Sequence, residues 1–397
     1  MALRKPELLA PVGNMISLKA AISAGCDAIY FGIKNFNMRE GAKNFEFKDV
    51  KNISKICREN GVKLYLTLNI IVYDEELKKI DSLIKKVKNY IDAIICWDLA
   101  VIELCKKHNV EIHISTQASV SNHLSSEYYK KRGAKRIVFA RECNLDQIKK
   151  IIKKTKIESE VFIHGAMCVA ISGRCFMSQF SYGRSANRGQ CLQNCRREYL
   201  IKDIDREYEF KLGNNYVMSA KDLCTLPFID QLMFFDSLKI EGRNRSPEYV
   251  KTVVSVYRRA IDAFYEGVLD KKLKNELMNQ LKLVYNRDFS SGFYLGKPIN
   301  EFTDEYGSKA IMKKEFVGKV VNYYKKKGVV EIKITSNIFK KGDILMVQGN
   351  KTGVEEFEVS EILQEGVFVD KAKRGDVTLK VPFILRRNDF IYVLKKR

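Results

Sequence analysis

The stretch AIICWDLAVIELCKKHNVEIHISTQASVSNHLSSEYYKKRGAKRIVFA, residues 93–140, decides the fold. Three short runs, Ala93–Trp97, Glu111–Thr116 and Arg136–Ala140, alternate with two helical patterns, Asp98–His108 and Ser125–Arg132. Gly133 stands just past the second helix, where a left-handed cap residue is wanted. Strand, helix and strand at this spacing read as a parallel sheet with crossover helices. Working outward, further strands are expected at Glu7–Val12, Ala28–Gly32, Lys63–Asn69, Glu160–His164 and Ser237–Glu241. Helices are expected at Met15–Ala24, Val50–Glu59 and Leu145–Thr155. Eight strands is the number that closes an α/β barrel of the (β/α)8, TIM-like type. The alternative is an open doubly wound sheet, but no GxGxxG follows a strand.

Two further helices are expected at Pro247–Gly267 and Lys271–Val284, and a loop at Tyr285–Pro298. From Met312 the pattern changes to short strands with turn signals between them, at Phe316–Asn322, Val329–Thr335, Asp343–Gln348, Phe357–Ile362, Val367–Asp370, Val377–Val381 and Ile391–Leu394. This predicts a small all-β barrel domain over 312–397, following a catalytic barrel over 1–300 with a cysteine-rich insertion at 164–224.

The chain has 397 residues, with 70 Lys and Arg against 48 Asp and Glu, a net charge of +22. That surplus favours a polyanionic partner, because cations bound to phosphates release counterions. Residues 312–397 alone hold nineteen Lys and Arg against eleven Asp and Glu, so the β domain reads as a nucleic-acid-positioning module or one that only packs on the barrel. No apolar run reaches signal-peptide or membrane-span length. A cytoplasmic protein without a membrane span is expected, and there clustered cysteines are ligands or catalysts before they are disulfides.

Four of the ten cysteines fall together as Cys168-x6-Cys175-x15-Cys191-x3-Cys195, directly after the seventh expected strand. Active sites of such barrels lie at the C-terminal ends of the strands, so the segment would open onto that face. Four thiolates at long intervals suit an iron–sulfur cluster, while zinc sites favour paired knuckles, of which there is one. Zinc or unligated thiols stay open, and Cys224 competes with Cys195 as fourth ligand. Cys26, Cys57, Cys96, Cys105 and Cys143 read as small packed hydrophobes. Arg174, Arg184 and Arg188 lie in the same segment, as substrate clamps or as charge balance for the cluster. Gln117, Glu241 and Arg243 end their strands as candidate substrate and catalytic residues, and His164 is a weaker catalytic candidate. His113 reads the same way as His164.

Seven motifs resemble the peptidase U32 family. They are ELLAPVGN (Glu7–Asn14), DAIYFG (Asp27–Gly32), ISTQASVSN (Ile114–Asn122), HGAMC with SGRC (His164–Cys175), NRGQCLQNCR (Asn187–Arg196), SAKDLC (Ser219–Cys224) and KIEGRNRSPEYV (Lys239–Val250). The resemblance spans nearly the whole chain, including the C-terminal β domain of longer members. The family was named for peptidases, but its better-understood members are oxygen-independent hydroxylases. These form 5-hydroxyuridine at the tRNA wobble position, hydroxylate a 23S rRNA cytidine, or act on the ubiquinone ring. The resemblance implies a [4Fe-4S] cluster on Cys168, Cys175, Cys191 and Cys195. Ubiquinone-type relatives use a partly different fourth cysteine, which keeps Cys224 in play. NRGxCxxxCR with SxKDLC and the β domain is most similar to the tRNA branch. That branch implies tRNA (or rRNA) as partner, and prephenate, a small carboxylate co-substrate, as hydroxyl donor. A collagenase-like peptidase and a non-catalytic RNA-binding protein are the competing classes. Neither HExxH nor GxSxG occurs in the chain.

Overall fold

The computed structural model describes residues 4–397 except 42, 172, 207–208, 211–217 and 300, so part of the expected insertion at 164–224 lies outside the described residues. The first part is six βα units and a seventh strand: β1 (Glu7–Pro11), α1 (Met15–Ser23), β2 (Ala28–Gly32), α2 (Val50–Glu59), β3 (Lys63–Thr67), α3 (Leu77–Val87), β4 (Ala93–Cys96), α4 (Leu99–Lys107), β5 (Ile112–Ile114), α5 (His123–Lys131), β6 (Ala134–Val138), α6 (Leu145–Thr155) and β7 (Glu158–Gly165). The short helix α7 (Met177–Tyr182), the hairpin β8 (Ile201–Lys202) and β9 (Glu209–Phe210), and β10 (Asp222–Cys224) follow. Then comes β11 (Ser237–Ile240). Strand β11 pairs in parallel with both β1 and β7, which closes an eight-stranded parallel barrel. The barrel fold expected from the βα spacing is therefore present. Helices α8 (Pro247–Tyr265) and α9 (Lys271–Leu283) cover its side, and β12 (Phe289–Ser290) pairs with β10.

Local chemistry explains the elements. Asn14, Asp98, Asn122 and Asn144 each cap a helix by accepting a backbone N–H with the side chain. Strand residues alternate between the two faces. Leu8, Ile29, Leu64, Ile94 and Leu238 pack outward in the main apolar cluster, while Leu9, Tyr30, Tyr65 and Ile95 form a second cluster. Strand β5 is shorter than expected, because Thr116–Ala118 turn into a 3-10 helix after Ser115.

The barrel also encloses buried charge. Arg136, 4% exposed, donates to Glu7 at 2.5 Å, to Glu160 at 3.3 Å and to Glu158 at 3.2 Å. Lys239 donates to Glu160 at 2.7 Å, and the Tyr65 hydroxyl donates to Glu7 at 2.8 Å. His113 is fully buried, edge-on to the Tyr65 ring and bonded to Glu111 at 2.9 Å. Its place is packing in the barrel rather than catalysis.

The C-terminal part is an antiparallel sheet of eight strands around one apolar cluster. In chain order these are β13 (Met312–Tyr324), β14 (Val329–Ile334), β15 (Ile344–Gly349), β16 (Gly353–Glu358), β17 (Leu363–Gln364), β18 (Val367–Phe368), β19 (Gly375–Lys380) and β20 (Phe390–Lys396). Strand β16 starts four residues earlier than expected, because a tight turn brings Gly353 opposite Gly349. The sheet docks on the flank of the barrel. Ala20 and Ile16 of α1 pack against Met346, Val354, Tyr392 and Leu394. Glu248 of α8 accepts from Lys314 at 2.9 Å and Gln348 at 2.7 Å. Among the described residues, no helix is long and apolar enough to cross a membrane.

Candidate metal centre and the barrel mouth

The segment after β7 folds back over the mouth of the barrel because specific side chains tie it down. Asn187 accepts the Cys175 N–H at 2.9 Å, and Ser178 accepts the Leu192 N–H at 3.0 Å. Arg196 donates to the carbonyls of Met167 and Ala220. Gly189, with φ +88, presses its backbone on the loop after β2 and accepts the Glu40 N–H at 3.1 Å. A Cβ there would sit 2.3 Å from the Asn37 carbonyl oxygen, so only glycine allows this approach. Gly189→Ala is expected to cost roughly 1–3 kcal/mol of stability in urea unfolding and, on the iron–sulfur reading proposed below, to lower iron content. Unchanged values of both would show that the contact does not position the cysteines.

The outcome is one cleft of about 390 Å3 lined by Cys168, Cys175, Cys191 and Cys195 together with Arg39, Arg184 and Arg196. The four thiols stand on its walls rather than at one point. Among the described residues, no three His, Cys, Asp or Glu are gathered as a site for a metal ion. A single tetrahedral ion needs its thiolates at bond length from one centre, whereas a cluster sets inorganic atoms between them. Burial pushes the Cys168 thiol up, against the pull of Arg39 and Arg196. Burial does the same to Cys195, against Arg196, and the other three cysteines push it further up. Cys191 accepts the Gln193 N–H at 3.4 Å. Cys224 lies elsewhere, buried against Tyr257 and Met278, and burial raises its thiol to about 11. It does not line the cleft.

Met38 and Arg39 line both this cleft and the barrel mouth, so the two spaces adjoin. The mouth holds Glu241, Arg243 and Gln117, as expected from their strand ends. Glu241 accepts from Arg39 at 3.0 and 3.2 Å and from the Tyr30 hydroxyl at 3.2 Å. Burial alone would raise its carboxyl, but Arg39 and Arg243 outweigh that and hold it at about 2. It is therefore a fixed carboxylate at neutral pH. Arg243 donates to Asn37 at 3.0 Å and to Thr67 at 3.1 Å, and burial draws it down to about 10. Gln117 accepts from the Ser115 hydroxyl.

Two expected roles change. His164 is not at the mouth: it packs among the rings of Tyr249, Tyr257 and Phe289, and burial lowers it to about 4. It is a neutral core residue, because the bulge in the β7–β11 pairing sets it toward α8. Arg188 is occupied by Glu76, at 2.5 and 2.7 Å, and by the Ile71 carbonyl, so it clamps the segment to the barrel instead of reaching substrate. Arg184 lines the cleft, and Arg174 lies over the Trp97 ring at 4.6 Å. Arg39, Arg141 and Arg196 carry more of the site than the sequence suggested. Only their places after strands and beside cysteines hinted at it.

The class that the structure defines is a parallel barrel whose mouth adjoins a cleft walled by four thiols and several guanidinium groups. The family model described as Peptidase family U32 matches residues 13–304, and the chain belongs to that family. It is 41% identical to a protein named collagenase from Porphyromonas gingivalis, over 98% of each chain. It is 38% identical to tRNA hydroxylation protein P1 of Bacillus subtilis, over 86% of this chain and 82% of that one. It is 37% identical to the 23S rRNA 5-hydroxycytidine synthase of Escherichia coli, over 66% of this chain and 40% of that one. The relatives thus include proteins named for RNA hydroxylation as well as proteins named collagenase.

Proposed function

We propose that this protein is an iron–sulfur-dependent, oxygen-independent RNA hydroxylase, with the tRNA wobble uridine as target and prephenate as hydroxyl donor. The observation that carries this reading is the single cleft lined by all four cysteines of one segment at the barrel mouth. Cys168, Cys175, Cys191 and Cys195 would hold the cluster, and the donor set suits it. When bound, the cluster would supply Lewis-acid or electron-carrying chemistry.

The protein's own residues support an RNA substrate. Phe176, Phe180 and Tyr182 are 60%, 87% and 50% exposed on the cysteine segment. The two phenylalanine rings are 5.9 Å apart, and Arg197 covers the Tyr182 ring at 5.2 Å. Exposed aromatic faces beside arginines suit unstacked bases of a single-stranded loop, which is how RNA is read by sequence. The net charge of +22 supplies the phosphate attraction. Glu241, held ionised by Arg39, acts as a fixed acceptor and not as a proton donor at neutral pH.

The test is mass spectrometry of tRNA and rRNA nucleosides from cells with and without the gene. Loss of a pyrimidine one oxygen heavier than its parent is expected. No change in any nucleoside would sink the reading.

The relative named collagenase keeps a peptidase in view. The residues do not favour it. Among the described residues, His108 bonds Asp81, His113 bonds Glu111 and His164 contacts Tyr257, so none of these activates a cysteine or serine.

A further inference from the structure

The residues lining the barrel mouth include four cations, Arg39, Arg141, Lys239 and Arg243, against one carboxylate, Glu241. Arg39 takes Glu241, and Lys239 is paired with Glu160. Arg243 also acts on Glu241 through its charge, while its hydrogen bonds among the described residues go to the neutral groups of Asn37 and Thr67. Arg141 donates Nη1 to the Ala166 carbonyl at 2.8 Å. Its Nε and Nη2 are buried with no hydrogen-bond partner among the described residues. A guanidinium stays charged inside proteins. Leaving two of its donors buried and unpaired is costly, and native structures seldom do so without a reason. Arg141 also lines a neighbouring cavity with Cys168 and Val169, so it stands between the mouth and the cysteine segment.

We propose that Arg141 is the subsite for the carboxylate of a small organic acid that binds beside Cys168, in the neighbouring cavity of about 330 Å3. This deepens the hydroxylase reading and rests on it only for the choice of acid. A planar carboxylate matches the two free N–H groups of the guanidinium fork. An RNA phosphodiester carries a sugar on each side and suits the exposed rim, where Arg174 and Arg184 already lie.

The experiment is calorimetric titration of prephenate, and separately citrate, into the anaerobically purified full-length protein without RNA. The wild type is expected to bind at least one of the two acids. Arg141→Met is expected to weaken that binding about tenfold or more, the loss typical of a charge-assisted hydrogen bond. Arg141→Lys keeps the charge but not the fork and should fall between. Thermal melting separates this from misfolding. Without ligand, Arg141→Met should melt close to the wild type: it loses the Ala166 hydrogen bond and the Phe162 ring contact, but also a buried charge with two unmet donors. The acid should then raise Tm only in the wild type.

Equal binding by wild type and Arg141→Met would overturn the proposal, as would no binding of either acid. A variant that melts far below the wild type would mark Arg141 as purely structural. Weakened tRNA binding with unchanged acid binding would assign the site to a phosphodiester instead. Absence of iron or of a modified nucleoside would remove the hydroxylase reading yet leave Arg141-dependent acid binding standing.

Discussion

Cys191→Ser is expected to give a protein that is colourless when purified without air, lacks iron and sulfide, and forms no hydroxylated nucleoside. The serine hydroxyl is far harder to ionise than a thiol, so it does not replace a thiolate ligand. Cys191 is exposed on a loop, where among the described residues its sulfur accepts the Gln193 N–H. Its replacement removes little packing, so surface precedent places the direct stability cost within about 0.5 kcal/mol. Circular dichroism should therefore report an intact barrel. Cys168→Ser, Cys175→Ser and Cys195→Ser should behave alike, because all four line the same cleft. Cys224→Ser should keep its colour, since that thiol is packed against Tyr257 and Met278. A brown, iron-loaded Cys191→Ser protein would remove Cys191 from the ligand set. A bleached Cys224→Ser protein would restore the alternative fourth ligand.

The second large effect lies inside the barrel. Glu160 is fully buried and neutralises both Lys239, at 2.7 Å, and Arg136, at 3.3 Å. Glu160→Ala leaves Lys239 without a carboxylate in an enclosed space, although Arg136 keeps Glu7 and Glu158. Breaking such a buried pair costs roughly 3–5 kcal/mol. Urea unfolding should show that loss, and the double variant Glu160→Ala with Lys239→Met should recover part of it. The same network sets an acid limit. Burial raises the Glu7 carboxyl, but Arg136 outweighs it and holds it at about 2; Glu160 is likewise lowered by Lys239 and Arg136. Both folded values lie below the unfolded ones. Their contribution is therefore full above the ordinary carboxylate range and lost as pH falls below it, toward about 2 for Glu7. Wild-type stability should drop across that window, and Glu160→Ala should drop less. A flat acid profile for the wild type would show that the network contributes nothing.

Legibility differed by level. The βα alternation read correctly because each strand and helix carries its own periodic pattern and cap. Asn144 before α6 and Gly133 before β6 are signals that a linear reading can use. The cysteine segment was legible as a group, since its spacing is written within twenty-eight residues of chain. Individual arginines were not. Arg174, Arg184 and Arg188 look alike in sequence. One stacks on Trp97, one lines the cleft, and one is consumed by Glu76. The difference lies in what the loops after β2, β3 and β4 place opposite them. His164 misled for a related reason. One bulge against β11 decided that its ring meets α8 rather than the mouth.

From the chain alone came the parallel barrel, the appended β sheet and the four thiols, because each is encoded by local periodicity or spacing. Contacts between distant segments decided the rest: Arg39 reaching Glu241, Arg196 tying Cys195 to Met167 and Ala220, and Arg141 left with two donors unpaired among the described residues. Those pairings join residues as far as 202 positions apart, and no local pattern records them. A buried charge depends on everything packed around it, so its partner becomes definite only when the barrel has closed.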